Sequence, residues 1–170
     1  MRLLATVNHD DTVERLSPRL LSRASVIHVE HGSASVVPVS GEAPNAPAPR
    51  WDALQAAFLR RQGSLGNLES LLNLLTKQRM PGAPTPRVIM AMERYLGASE
   101  GLIPRIEAED LQLCQRVLPP LRGVGPRWRS TLDELVRRLQ DGGWRRAASR
   151  ARVLREQGEA QGDWYDFLQV

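Results

Sequence analysis

The chain carries a single cysteine, Cys114. It therefore forms no internal disulfide, and so low a thiol content fits a reducing cytoplasm. Together with His9, His28 and His31 that cysteine makes no zinc-binding spacing. Nowhere is there an apolar run of the roughly 18 residues that a membrane span needs, so no membrane partner is expected. The opening "MRLLATVNHDD" lacks the apolar stretch and cleavage site of a secretory leader. Lysine is nearly missing too: Lys77 stands alone beside 22 arginines, a skew that a GC-rich genome produces. Arginine abundance by itself is thus no sign of a nucleic-acid partner. β-Branched residues thin out after residue 40. Most of the chain has little from which to build a sheet, whereas its Leu and Ala favour helix.

At 170 residues, 42% of them hydrophobic, the chain can bury a core of its own. Leu3–Val7 reads as a buried strand that ends at Asn8, followed by the turn signal "HDDT". Ser17 before Pro18 is an N-cap with proline at the first helical position, which predicts a short helix from about Pro18 to Ala24. Ser25–Val29 reads as a second strand. Two such strands make no stable sheet by themselves, so they need partners this chain does not supply. Residues 31–50 hold Pro38, Pro44, Pro47 and Pro49 and read as a linker.

Helical stripes follow. They run through Trp51, Leu54, Ala57 and Phe58; through Leu68, Leu71, Leu72 and Leu75; and, after Thr85 and Pro86, through Val88, Ile89, Met92 and Leu96. A fourth stripe, Leu111, Cys114, Val117 and Leu118, stops at Pro119-Pro120. A fifth, on Trp128, Leu132, Leu135, Val136 and Leu139, stops at Gly142-Gly143, and a sixth runs through Trp144, Ala147, Ala148, Ala151 and Leu154. The tail "DWYDFLQV" is apolar enough to pack back on this bundle. The expected fold is mainly α: two short N-terminal strands in residues 1–30, a linker over 31–50, and about six helices in 51–170.

Charge is uneven. Between Arg116 and Arg155 eleven arginines face only Asp133, Glu134 and Asp141. Arg127, Arg129, Arg137, Arg138, Arg145 and Arg146 are the candidates there for contact with nucleic-acid phosphates. No aromatic platform interleaves them, which favours a solvated helix face. Trp128, Trp144 and Cys114 fall on apolar faces and read as core. Glu107, Glu109 and Asp110 form the best carboxylate cluster, but acids are favoured in a first helical turn and need no catalytic role.

Three other arginines are placed against local electrostatics. Arg19 and Arg23, four residues apart, share a helix face, at a cost of roughly 0.2–0.5 kcal/mol. Arg19 and Arg87 each follow a cap and a proline, in "LSPRLLSRA" and "PTPRVIMAMERYL". A cation in the first turn is unfavourable by roughly 0.3–1 kcal/mol, and a bound anion would reverse that sign.

At these residues the chain resembles AAA+ ATPases of the McrB- and MoxR-like branch. "ATVNHDDTVERLSPRLLSRASVI" looks like the end of the ATPase core, where a strand closes on a polar sensor 1 residue and a short helix carries the arginine finger. "TPRVIMAMERYL" is similar to the sensor 2 helix, and "EDLQLCQRVLPPLRG" with "SRARVLREQ" to the helical lid. The resemblance implies that Asn8 is sensor 1, that Arg23 is the finger with Arg19 as runner-up, and that Arg87 is sensor 2. A finger supplied in trans contributes a factor of about 10³–10⁵ in rate, through a planar, permanently charged fork.

The departures from that family are equally specific. No G-x-x-x-x-G-K-[ST] exists, because Lys77 sits in "LLTKQR". The one Asp-Glu pair, Asp133-Glu134, lies within a predicted helix rather than at a strand end. Alone, the chain is expected to catalyse nothing and to bind no cofactor. ATP or GTP with Mg²⁺ would be held only in a complex with a P-loop-bearing AAA+ core or subunit, in a ring. The expectation is thus a lid and arginine-finger fragment of such an NTPase. The alternative is a small basic helical nucleic-acid-binding or adaptor protein.

Overall fold

The computed structural model describes residues 16–27, 52 and 63–167. The expected strand Leu3–Val7, Asn8, the linker over 31–50 and the stripe begun by Trp51 lie outside them, as do the three histidines.

Helix α1, Pro18–Leu21, starts where the sequence places it. The Ser17 hydroxyl accepts the Leu20 amide at 3.2 Å, a side-chain cap in the first turn. It ends three residues early, in a turn at Ser22-Arg23. The expected second strand does not form over its described part: Ser25–Ile27 has no ladder. Among the described residues, its inter-element backbone bond runs from the Val26 N–H to the Gln115 carbonyl, at 3.0 Å.

The helical body matches the stripes closely. In α2, Leu68–Lys77, Leu68, Leu71, Leu72 and Leu75 are all buried. In α3, Pro86–Ala98, Thr85 precedes the first turn in extended conformation and Val88, Met92 and Leu96 are buried. The fourth stripe resolves into α4, Arg105–Gln112, running directly into a π-turn at Leu113–Val117. The physical cause is Pro119. In an α-helix its ring would collide with the carbonyl four residues earlier, that of Gln115, so the last turn opens.

Helix α5 spans Arg127–Asp141 and α6 spans Arg145–Ala160. Gly143, at φ 78°, turns the chain between them in the left-handed region. The core is contributed by every helix of the body. Leu113, Leu118, Leu132, Leu135 and Leu139 are inaccessible, and Trp128 and Trp144 are buried beside them, as the stripes predict.

Two short strands exist, but at other places than the sequence suggests. β1, Arg122–Val124, pairs antiparallel with β2, Trp164–Asp166, setting Gly123 opposite Tyr165 and Val124 opposite Trp164. This is how the tail packs back: Tyr165 is inaccessible, with its ring against Gly158 of α6, where a Cβ would stand 2.1 Å from a ring carbon. The protein is mainly α, with this one two-stranded ribbon among the described residues. None of their helices is long and apolar enough to cross a membrane.

Candidate functional site

Arg19 and Arg23 are both exposed, one on α1 and one in the turn behind it. The segment that carries them is fixed at two points. Leu21 is buried, and the Val26 N–H holds the Gln115 carbonyl. That carbonyl is open because its helical donors would be residues 119 and 120, both prolines without an N–H. Arg87 is exposed in the first turn of α3. None of the three guanidinium groups has a hydrogen-bonding or ionic partner among the described residues.

The dipole of α3, a 13-residue helix, disfavours Arg87, whereas no such penalty applies to Arg19. A one-turn helix has no separate ends, so Arg19 lies in its last turn as much as in its first. Arg19 and Arg23 share a segment, whereas Arg87 belongs to another element. Asn8 lies outside the described residues.

The basic stretch is largely occupied. Arg129 bonds Asp163 at 2.9 Å and approaches Glu159 at 3.3 Å, and the Asp163 bond is the first cause that raises its pKa. Arg137 reaches Glu134 at 2.8 Å and Asp141 at 3.1 Å, and Arg138 reaches Glu134 at 2.6 Å. Those two arginines hold the Glu134 carboxyl below its ordinary range. Arg155 bridges Asp133 and Glu159, and Arg146 meets Glu107 at 3.3 Å. Arg127 stacks over Trp128, 5.3 Å from the ring centre, and Arg145 is exposed. The excess counted along the sequence overstates the field. Glu107, Glu159 and Asp163 come in from outside the stretch and neutralise part of it.

The carboxylate cluster has a structural task. Helix α4 begins at Arg105, so of the three acids only Glu107 stands in its first turn. Asp110, buried, accepts the Ala147 N–H at 2.8 Å and the Arg146 N–H at 2.9 Å. It thereby caps the start of α6 from a different helix. Glu109, also buried, accepts the Trp144 indole N–H at 2.9 Å and Arg105 Nε at 2.7 Å. Arg105 in turn donates to the Ser64 carbonyl. The sequence held one signal for this. Trp144 precedes α6 where a Ser, Thr, Asp or Asn cap is expected, so the orphan amides had to find an acceptor elsewhere.

Beside the π-turn lie polar groups without partners. Gln112 is inaccessible, and both its amide oxygen and nitrogen lack a hydrogen bond, as does Arg116 Nε. Burial lowers the Arg116 pKa. Burial, aided by the Asp110 charge, pushes the Cys114 thiol up to about 11. An open groove of about 640 Å³ between α2 and α5 is lined by polar groups of Asn67, Glu69, Ser70, Arg138 and Asp141. Among the described residues no cluster of His, Cys, Asp and Glu is assembled to hold a metal ion.

A family model described as "Domain of unknown function (DUF8727)" matches residues 57–164, a stretch that contains α2 through α6. No curated protein and no solved structure matches the chain.

Proposed function

We propose that this chain, a member of the DUF8727 family, serves as the lid and arginine-finger part of a McrB/MoxR-like AAA+ NTPase. It lacks the P-loop and the Asp-Glu strand and is inactive alone. The observation that supports this most is the presentation of Arg23: exposed, without a partner among the described residues, and carried on a segment anchored by Leu21 and Val26. A side chain meant to enter a neighbouring subunit's site has to be offered in this way. Arg19 is the second choice on the same segment, and Arg87 would sense the γ-phosphate from the start of α3.

In the complex with a P-loop-bearing subunit, Arg23→Ala should lower nucleotide turnover by about 10³-fold or more, with nucleotide binding retained. Unchanged turnover would remove Arg23 from the finger role. Translating the DNA upstream of the Met1 codon identifies the source of the P-loop. If that DNA encodes no P-loop or Asp-Glu strand, the fragment reading loses its nearest partner. The alternative, a basic nucleic-acid-binding or adaptor protein, draws less support. Arg129, Arg137, Arg138 and Arg146 of its candidate surface are engaged by carboxylates.

A further inference from the structure

Backbone geometry at the π-turn points to a positioning device for the arginine segment, an inference that rests on the finger reading above. We infer that the Val26 N–H and the Gln115 carbonyl form a latch that sets where Arg23 stands, and that Pro119-Pro120 exist in part to keep this latch open to Val26.

A buried or half-buried carbonyl needs a donor. In a continuing helix Gln115 would receive the N–H of residue 119, or of residue 120 in the wider π-turn. Both are proline, so neither can give one. The carbonyl is therefore left pointing out of the helix end, and the Val26 N–H fills it at 3.0 Å. Val26 lies three residues beyond Arg23, and Leu21 anchors the same segment two residues before it. Arg23 is thus held between two fixed points, while the side chains that flank the latch stay in solvent: Arg19, Leu20, Arg23 and Ile27 are all exposed. Of residues 19–27 only Leu21 is buried, so this backbone bond is a large share of what holds the segment among the described residues. Any movement of the π-turn reaches Arg23 through that bond.

The test uses the full chain and two variants that act on opposite sides of the bond. Val26→Pro deletes the donor. Pro119→Ala returns an N–H that competes for the Gln115 carbonyl and leaves Val26 intact. Ile27→Ala, exposed on the same segment, is the control that keeps every backbone donor. Hydrogen exchange of peptides covering residues 17–25 should quicken by about tenfold in the first two variants, the scale of one lost hydrogen bond. Peptides from α5 and α6 and the control should not change. In the complex with the P-loop subunit the same two variants should lower kcat with KM for nucleotide unchanged, in the direction of Arg23→Ala. Unchanged exchange over 17–25 in both variants overturns the latch. Quickened exchange with full kcat, where Arg23→Ala loses turnover, overturns the positioning role and leaves the finger standing. Full turnover in Arg23→Ala overturns the finger assignment and this inference with it.

Discussion

Asp110 shows how much one side chain settles in this fold. Its two oxygens take the N–H groups of Arg146 and Ala147, the second and third residues of a helix that has no side-chain cap of its own. A lost cap costs about 0.5–2 kcal/mol, and bonds to a buried charged acceptor stand at the upper end of that range. Asp110→Ala should therefore destabilise the protein by about 2 kcal/mol in urea unfolding, and Asp110→Asn, which keeps one acceptor, by about half as much. A midpoint that does not move in Asp110→Ala would mean that the α6 amides are satisfied otherwise. Cys114 gives a second residue-scale test. Its thiol is buried and its pKa stands at about 11, so at neutral pH it is protonated and shielded. A thiol-reactive dye should label the native chain only at the rate of unfolding and label it promptly in denaturant. Prompt labelling of the native protein would refute the buried placement.

Elements were legible where a period carries them. Leu68 through Leu75, and Trp128 through Leu139, repeat on a helical face because burial selects every third or fourth residue, and the structure buries those same residues except Val136, which is half-buried. The π-turn and the ribbon were not legible in that way. Three-residue strands are too short for an alternation to register, and β1 and β2 are paired only because α5 and α6 bring their ends together. The proline pair did announce a stop after Leu118, but it is the clash of Pro119 with Gln115 that turns a stop into a π-turn. Likewise, spacing found Arg19, Arg23 and Arg87, all of which are exposed, yet it could not say which arginines between Arg116 and Arg155 would meet acids from distant segments. Gly158 tests the ribbon's seat. Ala favours helix over Gly by about 1 kcal/mol, but here its Cβ would stand 2.1 Å from a carbon of the Tyr165 ring. Gly158→Ala should thus destabilise by about 1–3 kcal/mol, the ordinary cost of overpacking. A more stable variant would show that β2 yields easily and does not form part of the core.

For the whole molecule, charge decides how stability answers to pH. The Asp163 side chain accepts the Tyr165 hydroxyl at 2.8 Å and Arg129 at 2.9 Å, and these bonds hold its carboxyl below the ordinary 3.8. A lowered carboxylate pKa means the unfolded chain binds protons more readily. The contribution is therefore complete above about pH 4 and fades as pH falls through the folded value. Glu134 acts in the same direction through Arg138 and Arg137. Tyr165 works at the other end. Burial, and then its bond to Asp163, raise its pKa above 10.0, so its contribution is complete below pH 10.0 and is lost as the pH climbs through the folded value. Thermal unfolding should give a plateau with an acid limb and an alkaline limb. Asp163→Asn separates them, because Asn also tolerates the left-handed backbone at this position, φ 63°. Its Tm should lie below that of the parent at pH 7, and the gap should close as the pH falls through the parent's folded carboxyl value, which lies below 3.8. If the gap stays constant from pH 7 down to acid unfolding, the Arg129–Asp163–Tyr165 contact is not what ties β2 to α5, and the ribbon is held by its pairing with β1 and the packing of Tyr165 against Gly158.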